Sequence, residues 1–230
     1  MQNLGKITHC IFDFDGTLID SERYLTKAAN QVVQRYGKEF TWNLKSKTLG
    51  LHFGLSGPIV IQELDLPLTL EEYIKEVLDE YGKLIIDCPF MPGAKRLVKH
   101  LYDHHIPMAI CTGSTQQTFK LKNKNFGDFF EEGKYFNHIV KAGDDPQVKR
   151  NKPFPDPYIV SVARFSPKPD IENVLVFEDS PTGVTSAITA GLKCVMIPDP
   201  RLDKSLLNQA TLVIDSLNDF KPELFGLPSF

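Results

Sequence analysis

Apolar residues run almost unbroken through Ile7, Cys10, Ile11, Phe12 and Phe14, the pattern of a strand covered on both faces within a parallel sheet. Later apolar runs at 106–112, 138–142, 174–177, 194–197 and 211–214 predict five more strands. Between them the spacing turns helical. Ala94, Leu97, Val98 and Leu101 make one helix face, and 115–124, 157–165 and 181–190 predict three further helices. This alternation predicts a doubly wound α/β fold with a parallel sheet and the first strand at its centre.

The stretch from 20 to 90 reads as helices alone. Behind Ser21 as N-cap, Leu25, Ala28, Ala29, Val32 and Tyr36 recur at helical spacing until Gly37. Weaker helices follow at 42–48 and 55–64. Thr69 and Glu72 have the spacing of a capping box, and Tyr73, Ile74, Val77, Leu78 and Tyr81 then form an apolar face that Gly82 closes. An all-helical block after the first strand predicts an inserted cap domain: core 1–19, cap 20–90, remainder of the core 91–230. The Phe-rich stretch 126–136 is expected to hold a short helix and turn.

Composition narrows the function classes. The 230 residues are 42% hydrophobic and carry a formal net charge of -3, which offers nucleic acid or an anionic membrane no electrostatic footprint. No apolar stretch reaches spanning length and no leader pattern opens the chain, so a soluble, cytoplasmic and monomeric protein is expected. Cys10, Cys111 and Cys194 lie in strand-like runs, and no two of the four cysteines have metal or redox spacing. His100, His104 and His105 end a helix before Pro107 and are not read as a metal site.

Polar residues collect after four of the predicted strands or loops. Asp13 and Asp15 end the first strand, where two carboxylates call for a cation, a proton-transfer role or both. Gly16 lets the chain turn there, and Thr17 adds a hydroxyl. Thr112-Gly113-Ser114 supplies a hydroxyl, a flexible amide and a second hydroxyl or N-cap, parts suited to phosphate oxygens. Lys152-Pro153 precedes a helix; with Lys149 and Arg150 nearby, it reads by itself as a solvated basic loop. Glu178-Asp179-Ser180 ends another strand. Ser180-Pro181 is an N-cap with proline at the first helical position, but the two preceding acids suit Mg2+.

In this order the four clusters resemble the four motifs of the haloacid dehalogenase (HAD) superfamily, and the helical insert resembles the cap of its phosphoglucomutase-like and small-metabolite phosphatase branch. His138-Ile139-Val140 with Gly143-Asp144-Asp145-Pro146, the stretch 174–179, the stretch 195–199 and Phe225-Gly226-Leu227-Pro228 resemble the animal pseudouridine-5'-phosphatase-like proteins, with an insect source among the expectations. The resemblance implies a Mg2+-dependent phosphatase of a small phosphorylated metabolite, pseudouridine 5'-phosphate being one candidate. It implies Asp13 as the nucleophile that forms an aspartyl-phosphate, and Asp15 as general acid and then base. It implies Mg2+ on Asp13, Asp179, the Asp15 carbonyl and, directly or through water, Glu178. Thr112 and the Gly113 amide would hold phosphoryl oxygens, and Lys152 would neutralise charge. A phosphomutase of the β-phosphoglucomutase type uses the same residues and remains the alternative. Departures from the family pattern are Phe14, Thr17, Asn151 and Phe154; in the cap, His52 either touches substrate or packs the cap.

Overall fold

The computed structural model describes residues 4–230; residues 1–3 of the expected first core segment lie outside the described residues. The strands are β1 (His9–Phe12), β2 (Met108–Thr112), β3 (His138–Lys141), β4 (Val174–Glu178), β5 (Lys193–Met196) and β6 (Leu212–Val213). They form one sheet in the order β3-β2-β1-β4-β5-β6, and every pairing is parallel. The apolar runs that predict these strands alternate between two cores. Cys10, Phe12, Ile110, Leu175 and Phe177 face one; Ile11, Ala109, Cys111, Val174 and Val176 face the other. Both faces being dry, alternation with polar residues is absent, as parallel sheets require.

Helices α1 (Ser21–Gln34), α2 (Trp42–Thr48), α3 (Phe53–Leu64) and α4 (Leu70–Leu84) form the helical insert after β1. The core helices are α5 (Ala94–Asp103), α6 (Gln116–Asn123), α7 (Asp156–Ala163) and α8 (Pro181–Thr189). The expected capping box opens α4: the Thr69 hydroxyl accepts from the Glu72 amide and the Glu72 carboxylate accepts from the Thr69 amide. This helix continues past Gly82 because Tyr81 and Ile85 keep burying its apolar face. Val32 and Val33 of α1 pack with Tyr73, Val77 and Tyr81 of α4 in the same core that covers β1.

Two further expectations fail locally. Ser21 is the first residue of α1, whose N-cap is Asp20 without a side-chain capping bond; the Ser21 hydroxyl is used elsewhere. The stretch 126–136 holds turns and no helix, because Gly127 and Gly133 take positive φ angles of 59° and 85° and its aromatics pack inward. Phe130 sits between Phe14, Phe90, Phe126 and Phe129, with centroids 4.9–5.6 Å apart. Phe12 in turn stacks on Phe177 at 4.7 Å.

Register fixes the height of the strand ends. Phe12 pairs with both Ile110 and Phe177, so the next residues, Asp13, Cys111 and Glu178, emerge at one level on three adjacent strands. Phe130→Ala is expected to lower the unfolding free energy by about 3–5 kcal/mol and Phe130→Leu by clearly less, as read from urea denaturation.

Candidate active site

Lys152 crosses that common level. Its ammonium donates to Asp13 Oδ1 at 2.6 Å, to Glu178 Oε1 at 2.7 Å and to the Cys111 carbonyl at 2.9 Å. All three residues that meet there through side chains are buried: Asp13, Lys152 and Glu178 are 6%, 7% and 0% exposed. Lys152 is therefore no solvated loop residue. Burial disfavours its charge, but Asp13 and Glu178 outweigh that and hold its pKa well above the usual lysine range.

Glu178 is saturated. Its Oε1 also accepts from the Tyr158 hydroxyl at 2.8 Å, and Oε2 accepts from the Asp179 amide, the Ser180 amide and the Ser180 hydroxyl at 3.1–3.2 Å. This carboxylate reaches an ion only through water or by releasing a partner. Ser180 caps α8 by accepting from the Gly183 amide. A Cβ at Gly183 would overlap the Glu178 carboxylate, so a side chain there is excluded.

Asp15 has a different environment. It accepts from the Ser21 hydroxyl at 2.5 Å, from Lys122 at 2.7 Å, from the Ser114 hydroxyl at 3.2 Å and from the Thr112 hydroxyl at 3.4 Å. Burial pushes its carboxyl up, but Lys122 and the bonds from Ser21 and Ser114 outweigh burial and leave it below the usual range. Ser114 is not the N-cap of α6; that is Thr115, bonded to Thr118. Buried Thr112 accepts from the Ser114 amide at 3.1 Å. The side chain of Asn151 accepts from the Lys152 amide and donates to the Gly113 carbonyl at 3.3 Å, joining the two loops.

Asp13, Glu178 and Asp179 offer carboxylate oxygens within 4.8 Å of one another. Burial first, with repulsion from Glu178, holds Asp13 and Asp179 well above the usual carboxylate range against the pull of Lys152; Asp15 adds to the repulsion on Asp13, and Asp13 to that on Asp179. Clustered hard oxygens short of positive charge fit a divalent cation such as Mg2+. Gly16 keeps room for this group, because a Cβ there would strike the Asp179 carboxylate.

Asp13, Asp15 and Asp179 open into a cavity of about 670 Å³ between the strand ends and the helical insert. Gly113 and Asn151 line its core side; Leu25, Val60, Tyr73 and Val77 give the insert side an apolar wall. His52 lines the cavity too, but its Nδ1 accepts from the Gly54 amide at 3.1 Å and caps α3. Phe154 is 45% exposed beneath the Arg150 guanidinium and does not line the cavity.

Ser21, Tyr158 and Lys122 escape sequence reading. The first resembles a cap, the second lies on an apolar helix face, and Lys122 is one of three lysines in a five-residue run, 120–124. None carries a local mark.

In the metal-free protein, carboxyls with raised folded pKa values contribute stability that is complete below their unfolded values and lost as pH rises through the folded ones. The melting temperature is expected to fall as pH rises above the ordinary carboxylate range, to fall less in Asp179→Asn, and to lose this slope when Mg2+ is added. Scanning calorimetry with and without the metal checks all three.

Comparison with known proteins identifies the family. The pattern that defines the haloacid dehalogenase-like hydrolases matches residues 10–197. The chain is 40% identical over 227 residues to the "Probable pseudouridine-5'-phosphatase" of Drosophila melanogaster, covering 99% of this chain and 97% of that one. It is 41% identical to the (DL)-glycerol-3-phosphatase 2 of Arabidopsis thaliana, covering 98% and 94%. The crystal structure of β-phosphoglucomutase from Clostridium difficile shares the fold, with a TM-score of 0.75 at 21% identity over 96% of this chain and 97% of that one. By sequence and by fold, this chain belongs to the haloacid dehalogenase-like hydrolase family, among its phosphatases.

Proposed function

We propose that this phosphatase is Mg2+-dependent and hydrolyses a small phosphomonoester through a phosphorylated Asp13. The observation that carries the reading is the Lys152 ammonium 2.6 Å from Asp13 Oδ1, both lining the cavity with Asp179 beside them. Asp13 would attack phosphorus as the bond to the leaving alkoxide breaks, and Asp15 would give its proton to that alkoxide. In the second step Asp15 would take a proton from water as the water oxygen attacks the aspartyl-phosphate, releasing phosphate and restoring Asp13. Thr112, the Gly113 amide and Lys152 would hold the phosphoryl oxygens, positioning and neutralising charge as phosphoryl transfer requires. Asp13, Asp179 and the Asp15 carbonyl would hold Mg2+, with Glu178 behind them through water. The ion would supply further charge neutralisation at the phosphoryl group.

Ionisation fits these roles once substrate is present. A phosphate dianion next to Asp15 counters Lys122 and favours the protonated acid, while a divalent cation favours ionised Asp13. Phosphate-free, the two carboxyls lean the other way.

The insert wall favours hydrolysis over a mutase, although Lys149 lines the cavity from the core side. Passing the phosphoryl group to a hydroxyl of a phosphorylated substrate makes a bisphosphate, whose second phosphate needs its own cation. Among the described insert residues lining the cavity, Lys45 is the one lysine or arginine. It is buried and bonded to the Thr26 hydroxyl at 2.6 Å and the Glu22 carbonyl at 3.2 Å, with the Glu22 carboxylate at 3.5 Å.

The insert, 20–90, acts as the cap, with hinges where its two connections run side by side: the Asp20 amide donates to Pro89 and the Met91 amide to Leu18, at 3.0 and 2.9 Å. Pseudouridine 5'-phosphate and glycerol 3-phosphate, the substrates named for the relatives, lead the candidate substrates.

Phosphate release should be measured on these two, nucleoside monophosphates and sugar phosphates, with Mg2+ and with chelator. Chelation is expected to stop turnover, and Asp13→Asn to lower it at least about a thousandfold without unfolding. An active Asp13→Asn enzyme, or full activity without metal, would refute the reading.

A further inference from the structure

The carboxylate of Asp15 is held from both sides. From the insert comes the Ser21 hydroxyl, at the first residue of α1. From the core comes Lys122, whose ammonium lies 2.7 Å from each carboxylate oxygen and 2.8 Å from Ser114 Oγ.

The packing of α6 produces this contact. Thr115 and Thr118 fix the start of the helix through a capping box. One turn on, Phe119 is buried with its ring 4.7 Å from that of Phe14, the residue between the two aspartates. Lys122 follows Phe119 by three positions, on the same face of the helix. Seating Phe119 on Phe14 therefore delivers Lys122 to Asp15. The lysine is largely withdrawn from solvent, its side chain 13% exposed, and it lines the reaction cavity.

From this geometry we infer that Lys122 is a positioning residue for Asp15 in phosphoryl transfer, a role no sequence motif marks. The inference rests on Asp15 being the proton donor proposed above. A carboxyl at the rim of a cavity of this size has two free torsions, and proton transfer needs it within hydrogen-bond reach of the leaving oxygen. Lys122 and Ser114 restrict those torsions from the core side. When one carboxyl oxygen carries the proton, Lys122 retains the other. The proton then passes to the departing alkoxide as the phosphorus–oxygen bond breaks, and the carboxylate left behind returns to the lysine.

Leaving-group dependence tests this, because p-nitrophenolate departs without a proton and an alkoxide does not. The quantity to compare is kcat/KM, which covers only the steps through alcohol release. It should be measured for p-nitrophenyl phosphate and for the alkyl phosphate preferred by the wild type, in Asp15→Asn, Lys122→Met, Lys122→Gln and Lys122→Arg. Asp15→Asn is expected to lose about 10²–10⁴-fold on the alkyl ester and far less on the aryl ester. Lys122→Met and Lys122→Gln should show the same selectivity, about tenfold or more on the alkyl ester, and Lys122→Arg should recover most of it. Equal losses on both esters, or no loss on either, in a folded Lys122 variant would overturn the inference while leaving the phosphatase reading intact. If Lys122→Met fails to fold, Lys122→Gln and Lys122→Arg decide. Absence of selectivity in Asp15→Asn would overturn the proton-donor role, and the positioning role with it.

Discussion

The site depends on one buried ammonium. Lys152 spends all three of its hydrogens on groups from three neighbouring strand ends, so it both neutralises two carboxylates and ties the ends of β1, β2 and β4 together. Removing one partner of such a group leaves an uncompensated charge in a dry place, which costs about 3–5 kcal/mol. The surroundings follow from that constraint. Tyr158 and Ser180 complete the bonding of Glu178, and Gly183 vacates the volume its carboxylate fills.

Two aspartates two residues apart thus come to differ in character. Asp13 lies in a crowd of acids with a single shared lysine, and Asp15 has Lys122 and three hydroxyls to itself. Divergent environments for a pair of like groups are how one fold assigns separate roles to them. That divergence supports the proposed placement of a cation beside Asp13 and Asp179 and of the substrate phosphate beside Asp15.

The helical insert contributes shape and dryness more than charge. Its wall on the cavity is mostly apolar, and Lys45 within it is already paired. The approach to the core is close: a side chain at Gly50, whose φ is 74°, would run into Ser180 and Thr182 at the start of α8. Closing a site this way excludes water and strengthens every electrostatic contact inside it.

The order of strands and helices, the all-helical insert and the four polar clusters were legible in the chain because each is a local signal: an apolar run, a helical period, a cap, a turn glycine. Several things were not. Lys152 among neighbouring basic residues reads as a solvated loop, and its burial follows only from contacts with Asp13 and Glu178, 139 and 26 residues away. Lys122 is one lysine among several until Phe119 packs on Phe14. Ser21 reads as a cap until its hydroxyl meets Asp15, and the phenylalanines of 126–136 suggest a helix until they fill the space around Phe14 and Phe90. Local pattern fixes which residues are strand, helix or turn within a few positions. Which charges meet is decided by strand register and helix packing, set by burial of the whole core at once, and no stretch of sequence carries that information by itself.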